Sequence, residues 1–127
     1  MKFVKYTPGG SFSKHMDGPW VPRLDESSIY TLVIYLNDDY KGGETKFFDQ
    51  HCKSRDVTVR PQRGMGLIFN HDVFHAGEPV LEGTKYILRT EVMFRRVDSH
   101  LLTSQELMDY EKNENYLKTI KLYHKSQ

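Results

Sequence analysis

The run IYTLVIYL, residues 29–36, carries large side chains on both faces of an extended strand. Tyr30, Leu32 and Ile34 point one way, and Thr31, Val33 and Tyr35 the other. A strand with one face in water alternates apolar with polar residues, so something must cover each face of this one. The rest of the chain offers that cover in short pieces. KFVKYT, SFSKH, ETKFFD, DVTVRP, GMGLIFN, VFHAGEPV and TKYILRTEVMFRR are strand-like runs divided by turn residues such as Pro8-Gly9-Gly10 and Asp17-Gly18-Pro19. About eight strands at this spacing predict a sandwich or barrel. No helical period interrupts them before residue 100, which argues against a parallel βαβ architecture.

The tail reads differently. Thr103-Ser104-Gln105-Glu106 has the form of a capping box, and Leu107, Tyr110, Leu117, Ile120 and Tyr123 recur at helical spacing. The expected organisation is one β domain over residues 1–97 and a helical extension over 98–127. The 18 basic and 17 acidic residues nearly cancel, so no polyanion-binding field arises and a nucleic-acid partner is not expected. No apolar run is long enough to span a bilayer, and the N-terminus lacks a signal-peptide core. The single cysteine, Cys52, excludes an internal disulfide and fits a reducing compartment. These features predict an intracellular protein, cytoplasmic or nuclear.

The last strand-like run permits two readings. Tyr86, Leu88, Val92 and Phe94 share one face, while Lys85, Arg89 and Glu91 share the other with Ile87 and Met93. Either the charges lie in water on a half-exposed strand, or they line an interior cavity while the apolar face supports a covering layer. Periodicity does not choose.

His15 and Asp17 stand two apart at the end of a strand-like run, on the same side of an extended backbone. Alone, such a pair is common by chance and fits a surface turn. A third ligand changes its meaning. His51, His100 and His124 lie in polar surroundings, whereas His75 follows the apolar run GLIFN and precedes AGEPV. Two histidines and one carboxylate with open positions suit Fe(II) that activates O₂. A competing metal motif pairs His71 with His75 in HDVFH, on the pattern of the zinc proteases. That motif needs a helix and a glutamate, and here Asp72 replaces the glutamate while Gly77 and Pro79 oppose a helix.

YTPGGSFSKHMDG, TLVIYLND, GGETKFFD and VRPQRGMGLIFNHDVFHAGEPVLEGTKYILRTEVMF together resemble the prolyl 4-hydroxylase-like branch of the Fe(II)/2-oxoglutarate dioxygenases. The resemblance runs from about residue 3 to residue 96 in the family's order. It implies a double-stranded β-helix, or jelly roll, with Fe(II) held by His15, Asp17 and His75. It further implies that Lys85 anchors the distal carboxylate of 2-oxoglutarate, with Tyr6 and Tyr35 facing the cosubstrate and Arg89 assisting it or the substrate. The implied reaction couples decarboxylation of 2-oxoglutarate to succinate and CO₂ with hydroxylation of a C–H bond by O₂, with ascorbate as reductant. The substrate is a prolyl residue of a peptide or protein by family analogy, or else a small molecule. A non-catalytic jelly-roll binding or scaffold module that keeps the triad is the alternative.

Two further expectations follow. GPWVPRLDESS, residues 18–28, is placed to act as a substrate lid, with Trp20 and Arg23 available for contacts. Family members carry helices and strands ahead of the first jelly-roll strand, whereas this sequence starts almost at that strand. The outer apolar faces are then expected to be short of cover, as in a fragment, or to meet a second copy or another partner.

Overall fold

A computed structural model describes residues 1–96. The helical extension expected over 98–127, and the domain boundary at 97, lie outside the described residues. Ten strands follow in order: β1 (Lys2–Tyr6), β2 (Phe12–His15), β3 (Glu26–Tyr35), β4 (Lys41–Gly42), β5 (Thr45–Phe48), β6 (Val57–Val59), β7 (Gly66–Asn70), β8 (Phe74–Gly77), β9 (Val80–Glu82) and β10 (Lys85–Arg95). They form one four-stranded sheet in the order β1-β10-β3-β7 and another in the order β2-β8-β5-β6, with β4 and β9 paired apart. Every pairing is antiparallel. This is the mainly β, jelly-roll-like architecture expected. No helix among the described residues is long and apolar enough to cross a membrane.

The strand count exceeds the expected eight for a local reason. VFHAGEPV does not run as one strand: β8 stops at Gly77 and β9 starts at Val80. Pro79 lacks an N–H for a ladder, and the strand breaks where Glu78 N–H turns to the Glu44 carbonyl at 2.8 Å and the Pro79 carbonyl to Gly43 N–H at 3.0 Å. The two-residue β4 pairs with β9 there, and nothing in KGG marks it as a strand.

β3 and β10 lie at the centre of the first sheet, where Arg89 pairs with Val33 and Ile87 with Tyr35. The inner face of β3 buries Thr31, Val33 and Tyr35, and its outer face leaves Tyr30, Leu32 and Ile34 half-buried. β10 settles its own ambiguity in favour of the interior: Lys85 and Ile87 are buried at 2% and 4% exposure, while Phe94 at the far end of the opposite face is exposed. Val33, Tyr35 and Ile87 form the core cluster, joined by Val4, Tyr6, Met65, Leu67 and Phe69. A register shift between Val92 and Met93 leaves Ile29 without a partner on β10 and turns it outward, so Ser28 rather than Ile29 is buried.

Candidate metal centre and adjoining pocket

β2 and β8 place the two histidines. His15 and His75 are direct cross-strand partners, with ring centroids 4.4 Å apart. Cross-strand neighbours share a face, so the pairing alone brings both rings to one side of the second sheet. Asp17 lies two residues beyond β2, with one oxygen 3.2 Å from His15 Nε2 and the other 3.7 Å from His75 Nε2. One ligand atom from each residue falls within 4.8 Å of the other two. Asp17 and His75 are buried, and His15 is partly open. Gly77 permits the local packing. A side chain there would collide with the Phe12 ring, which lies edge-on to both histidines.

The hydrogen bonds fix what each ring presents. His15 Nδ1 donates to the Ser13 carbonyl at 2.7 Å, and His75 Nδ1 donates to the Val73 carbonyl at 3.0 Å. With the proton on Nδ1, each Nε2 offers a lone pair. Two lone pairs and a carboxylate therefore converge, which a cation would satisfy. The donor set of two imidazoles and one carboxylate is the one that suits Fe(II).

The charge states agree. Burial by itself would raise Asp17, but the Thr31 hydroxyl, the Arg89 guanidinium and His75 outweigh it and hold the carboxyl below its ordinary value. Thr31 is fully buried and donates to Asp17 Oδ2 at 2.6 Å, and Arg89 Nη2 lies 3.0 Å from Oδ1. Burial lowers His75, partly opposed by its bond to Val73 and by the Asp17 charge, which favours the neutral ligating form. Phe12, Phe47 and Phe69 pack around this imidazole, Phe69 at 4.6 Å between centroids.

A pocket of about 200 Å³ runs from the histidines into the barrel. Phe12, Val33, Phe69 and Ile87 wall it, and Lys85, Thr45, Tyr6 and Arg89 also border it. Lys85 Nζ donates to the Gly43 carbonyl at 2.7 Å, and among the described residues no carboxylate lies within ion-pair distance of it. Burial lowers its pKa to about 8, slightly opposed by Glu44. Its ammonium stands 5.3 Å from the Tyr6 ring centroid and 5.7 Å from that of Tyr35.

The two tyrosines named from the sequence differ in position. Tyr6 lines the pocket, with its hydroxyl pKa raised by burial against the opposing pull of Arg89. Tyr35 is fully buried beside the pocket, and its hydroxyl meets Thr45 Oγ1 at 2.6 Å, so Thr45 presents the polar group to the cavity. Sequence reasoning missed Thr45 and Thr31. Both read as ordinary strand formers, and only their tertiary hydrogen bonds, Thr45 to Tyr35 and Thr31 to Asp17, mark them as inward-facing polar groups.

His71 stays outside the cluster. It occupies the β7–β8 turn rather than a helix, is buried, and faces Ser28 through Nδ1 at 3.5 Å. His51 is exposed, and His100 and His124 lie outside the described residues. The expected lid segment is tied at its ends. Trp20 N–H donates to Ser28 Oγ at 2.6 Å, and Ser28 N–H to the Trp20 carbonyl at 2.9 Å. Trp20 borders a second cavity that shares Arg89 with the main pocket, and Arg23 does not.

The family comparison matches residues 1–90 to the 2OG-Fe(II) oxygenase superfamily. Probable prolyl 4-hydroxylase 11 of Arabidopsis thaliana is 37% identical over 71 residues, which are 54% of this chain and 24% of that protein. Among solved structures, a Pseudomonas putida prolyl-4-hydroxylase superposes with a TM-score of 0.56 at 26% identity, covering 75% of this chain and 50% of that one. The 2OG complex of the viral collagen prolyl hydroxylase from Paramecium Bursaria Chlorella virus-1 does so with the same TM-score and identity, covering 76% and 57%. The chain thus spans about a quarter of that curated relative's length. It belongs to the 2OG-Fe(II) oxygenase superfamily and is prolyl 4-hydroxylase-like.

Proposed function

We propose that residues 1–97 form the core of an Fe(II)- and 2-oxoglutarate-dependent hydroxylase whose substrate is a prolyl residue of a peptide or protein. The observation that carries this reading is one cavity bordered by His15 and His75, whose ligand atoms converge with that of Asp17, and by a buried lysine with no carboxylate partner among the described residues. When bound, iron and 2-oxoglutarate would supply, with O₂ as the oxidant, decarboxylation to succinate and CO₂ coupled to C–H hydroxylation, with ascorbate as reductant. His15, Asp17 and His75 hold the metal on one side. Lys85 supplies the cation for the distal carboxylate, and a charge-assisted contact in a buried pocket is strong. The Tyr35 and Thr45 hydroxyls share a hydrogen bond, so Thr45 presents the polar group to the cosubstrate, and Tyr6 covers the lysine. The aromatic walls exclude water from the metal side.

The assignment of Lys85 rather than Arg89 to the carboxylate rests on Arg89 being engaged with Asp17. Arg89 borders both cavities, so it stands between the cosubstrate and a substrate that enters past Trp20. The outer face of the first sheet is the place where a second copy or another partner would bind, because Phe3 and Ile68 remain exposed there.

The test is turnover. Incubation with Fe(II), ascorbate, 2-oxoglutarate and proline-containing peptides should release succinate and yield hydroxyproline in matched amounts. Tight binding of iron and 2-oxoglutarate with no succinate from any peptide would favour the non-catalytic binding module. Failure to bind either would overturn the reading.

A further inference from the structure

β2 ends at His15, β3 starts at Glu26 and the β7–β8 turn runs up to His75, so all three meet at the end of the barrel that carries the metal centre. A cleft of about 560 Å³ opens there, with Met16, Asp17, Pro19, Ile29, Asn70 and Asp72 among its borders. It shares Asp17 with the metal centre and shares no residue with the cavity that holds Lys85. Pro19 borders this cleft and Trp20 the cleft beside Arg89, so the two lie on either side of the lid segment.

One wall of the cleft is apolar. Met16 stands between two metal ligands, and alternation along an extended backbone sends it away from them, 45% exposed. Ile29 is turned out by the irregularity opposite Val92 and Met93 and is 40% exposed. Irregularities of this kind beside a site re-aim side chains. The other wall carries Asn70 and Asp72, both exposed. Asn70 Oδ1 accepts from the Asp72 N–H at 3.5 Å. Among the described residues no cation lies within ion-pair distance of the Asp72 carboxylate, and no lysine or arginine borders the cleft. Asp17, the other carboxylate there, is met by Arg89. The cleft therefore offers apolar surface and one unneutralised negative charge. A side chain with an aliphatic stem and a cationic head matches both.

We infer that this cleft receives a lysine or arginine side chain of the polypeptide substrate, next to the residue that is oxidised, with its stem against Met16 and Ile29 and its head at Asp72. This rests on the peptide-substrate reading above and adds a sequence preference to it. Because Asp17 belongs both to the cleft and to the metal centre, a side chain seated here holds the neighbouring residue of the same peptide at the metal end of the barrel.

The test is equilibrium binding of proline-containing peptides to the chain loaded with Mn(II) and 2-oxoglutarate, so that no turnover intervenes. Each position flanking the proline carries lysine, norleucine or serine in turn, and binding is read by calorimetry. At one position norleucine should bind about tenfold tighter than serine, the effect of burying an apolar stem. Lysine there should bind about two- to fivefold tighter than norleucine, the worth of a partly exposed ion pair. Added salt should shrink the second ratio and spare the first. Asp72→Asn should abolish the second ratio only, and Ile29→Ser should reduce the first. Equal binding of lysine and norleucine at every position in wild type overturns the inference without any variant and spares the peptide-substrate reading. A lysine preference that survives Asp72→Asn also overturns it. If no peptide of any sequence binds, the peptide-substrate reading falls and the inference with it.

Discussion

Arg89 and Asp17 meet across the barrel, Nη2 to Oδ1 at 3.0 Å, while Lys85, two inward positions earlier on β10, meets a backbone carbonyl and two tyrosine rings and, among the described residues, no carboxylate. Two cations of one strand face thus have different tasks. Lys85→Ala should raise the 2-oxoglutarate dissociation constant on the order of a hundredfold or more, because breaking one side of a buried charge pair costs about 3–5 kcal/mol. Its iron affinity should be little changed. Arg89→Ala should instead raise the Asp17 pKa and affect the metal more than the cosubstrate. Calorimetric titration of each variant with 2-oxoglutarate separates them, and the opposite pattern would exchange the roles.

Thr31 is the support that holds Asp17 from behind. Thr31→Val keeps the shape and removes the 2.6 Å hydrogen bond to Oδ2. Loss of a partner that orients a metal ligand typically weakens metal binding about 10–100-fold. Competition with a chelator would measure it, and an affinity equal to wild type would show that Arg89 alone positions the carboxylate.

Lys85 also sets a pH dependence. Its pKa falls from 10.5 to about 8 on folding. The dicarboxylate prefers the protonated amine, so 2-oxoglutarate affinity should be flat below pH 8 and fall about tenfold per unit above it. Ligand-free stability moves the other way. Between pH 8 and 10.5 the unfolded chain binds more protons at this lysine, so its contribution to stability rises with pH there and is lost as pH falls through 8. Lys85→Met should remove both slopes, as read by ligand titration and by thermal melting across that window.

Much of this was legible in the residues. The doubly apolar IYTLVIYL does form the central strand, and its inner face is the better covered one. His15, Asp17 and His75 come together, although 58 residues separate the last two, because β2 pairs with β8. Other features depended on neighbours that no local pattern specifies. The inward direction of Lys85 and Arg89 follows from the pairing of β10 with β3. The Ile29 bulge, the β8–β9 break and the bond from Thr31 to Asp17 are likewise tertiary outcomes. Tyr35 packs beside the cavity rather than into it because Thr45 takes the hydroxyl.

The outer face of the first sheet carries its own consequence. Phe3, Ile68 and Phe94 are 62%, 61% and 43% exposed, and Tyr30, Leu32, Ile34 and Leu88 are only half-buried. Fully covering a large apolar side chain is worth about 1.5–3 kcal/mol, and a domain is stable by only about 5–15 kcal/mol. The isolated 127-residue chain should therefore self-associate or melt at low temperature. Light scattering would detect particles larger than a monomer. A monodisperse, stable monomer that binds no hydrophobic dye would contradict this.

The most direct measurement of the central claim is anaerobic equilibrium dialysis of the chain against Fe(II) and labelled 2-oxoglutarate, in wild type and two variants. Wild type should retain one iron and one 2-oxoglutarate per chain. His75→Ala should lose the iron, because two ligands hold it poorly, and Lys85→Ala should keep the iron and lose most of the 2-oxoglutarate. Full iron retention by His75→Ala, or a wild type that binds neither, would contradict the account.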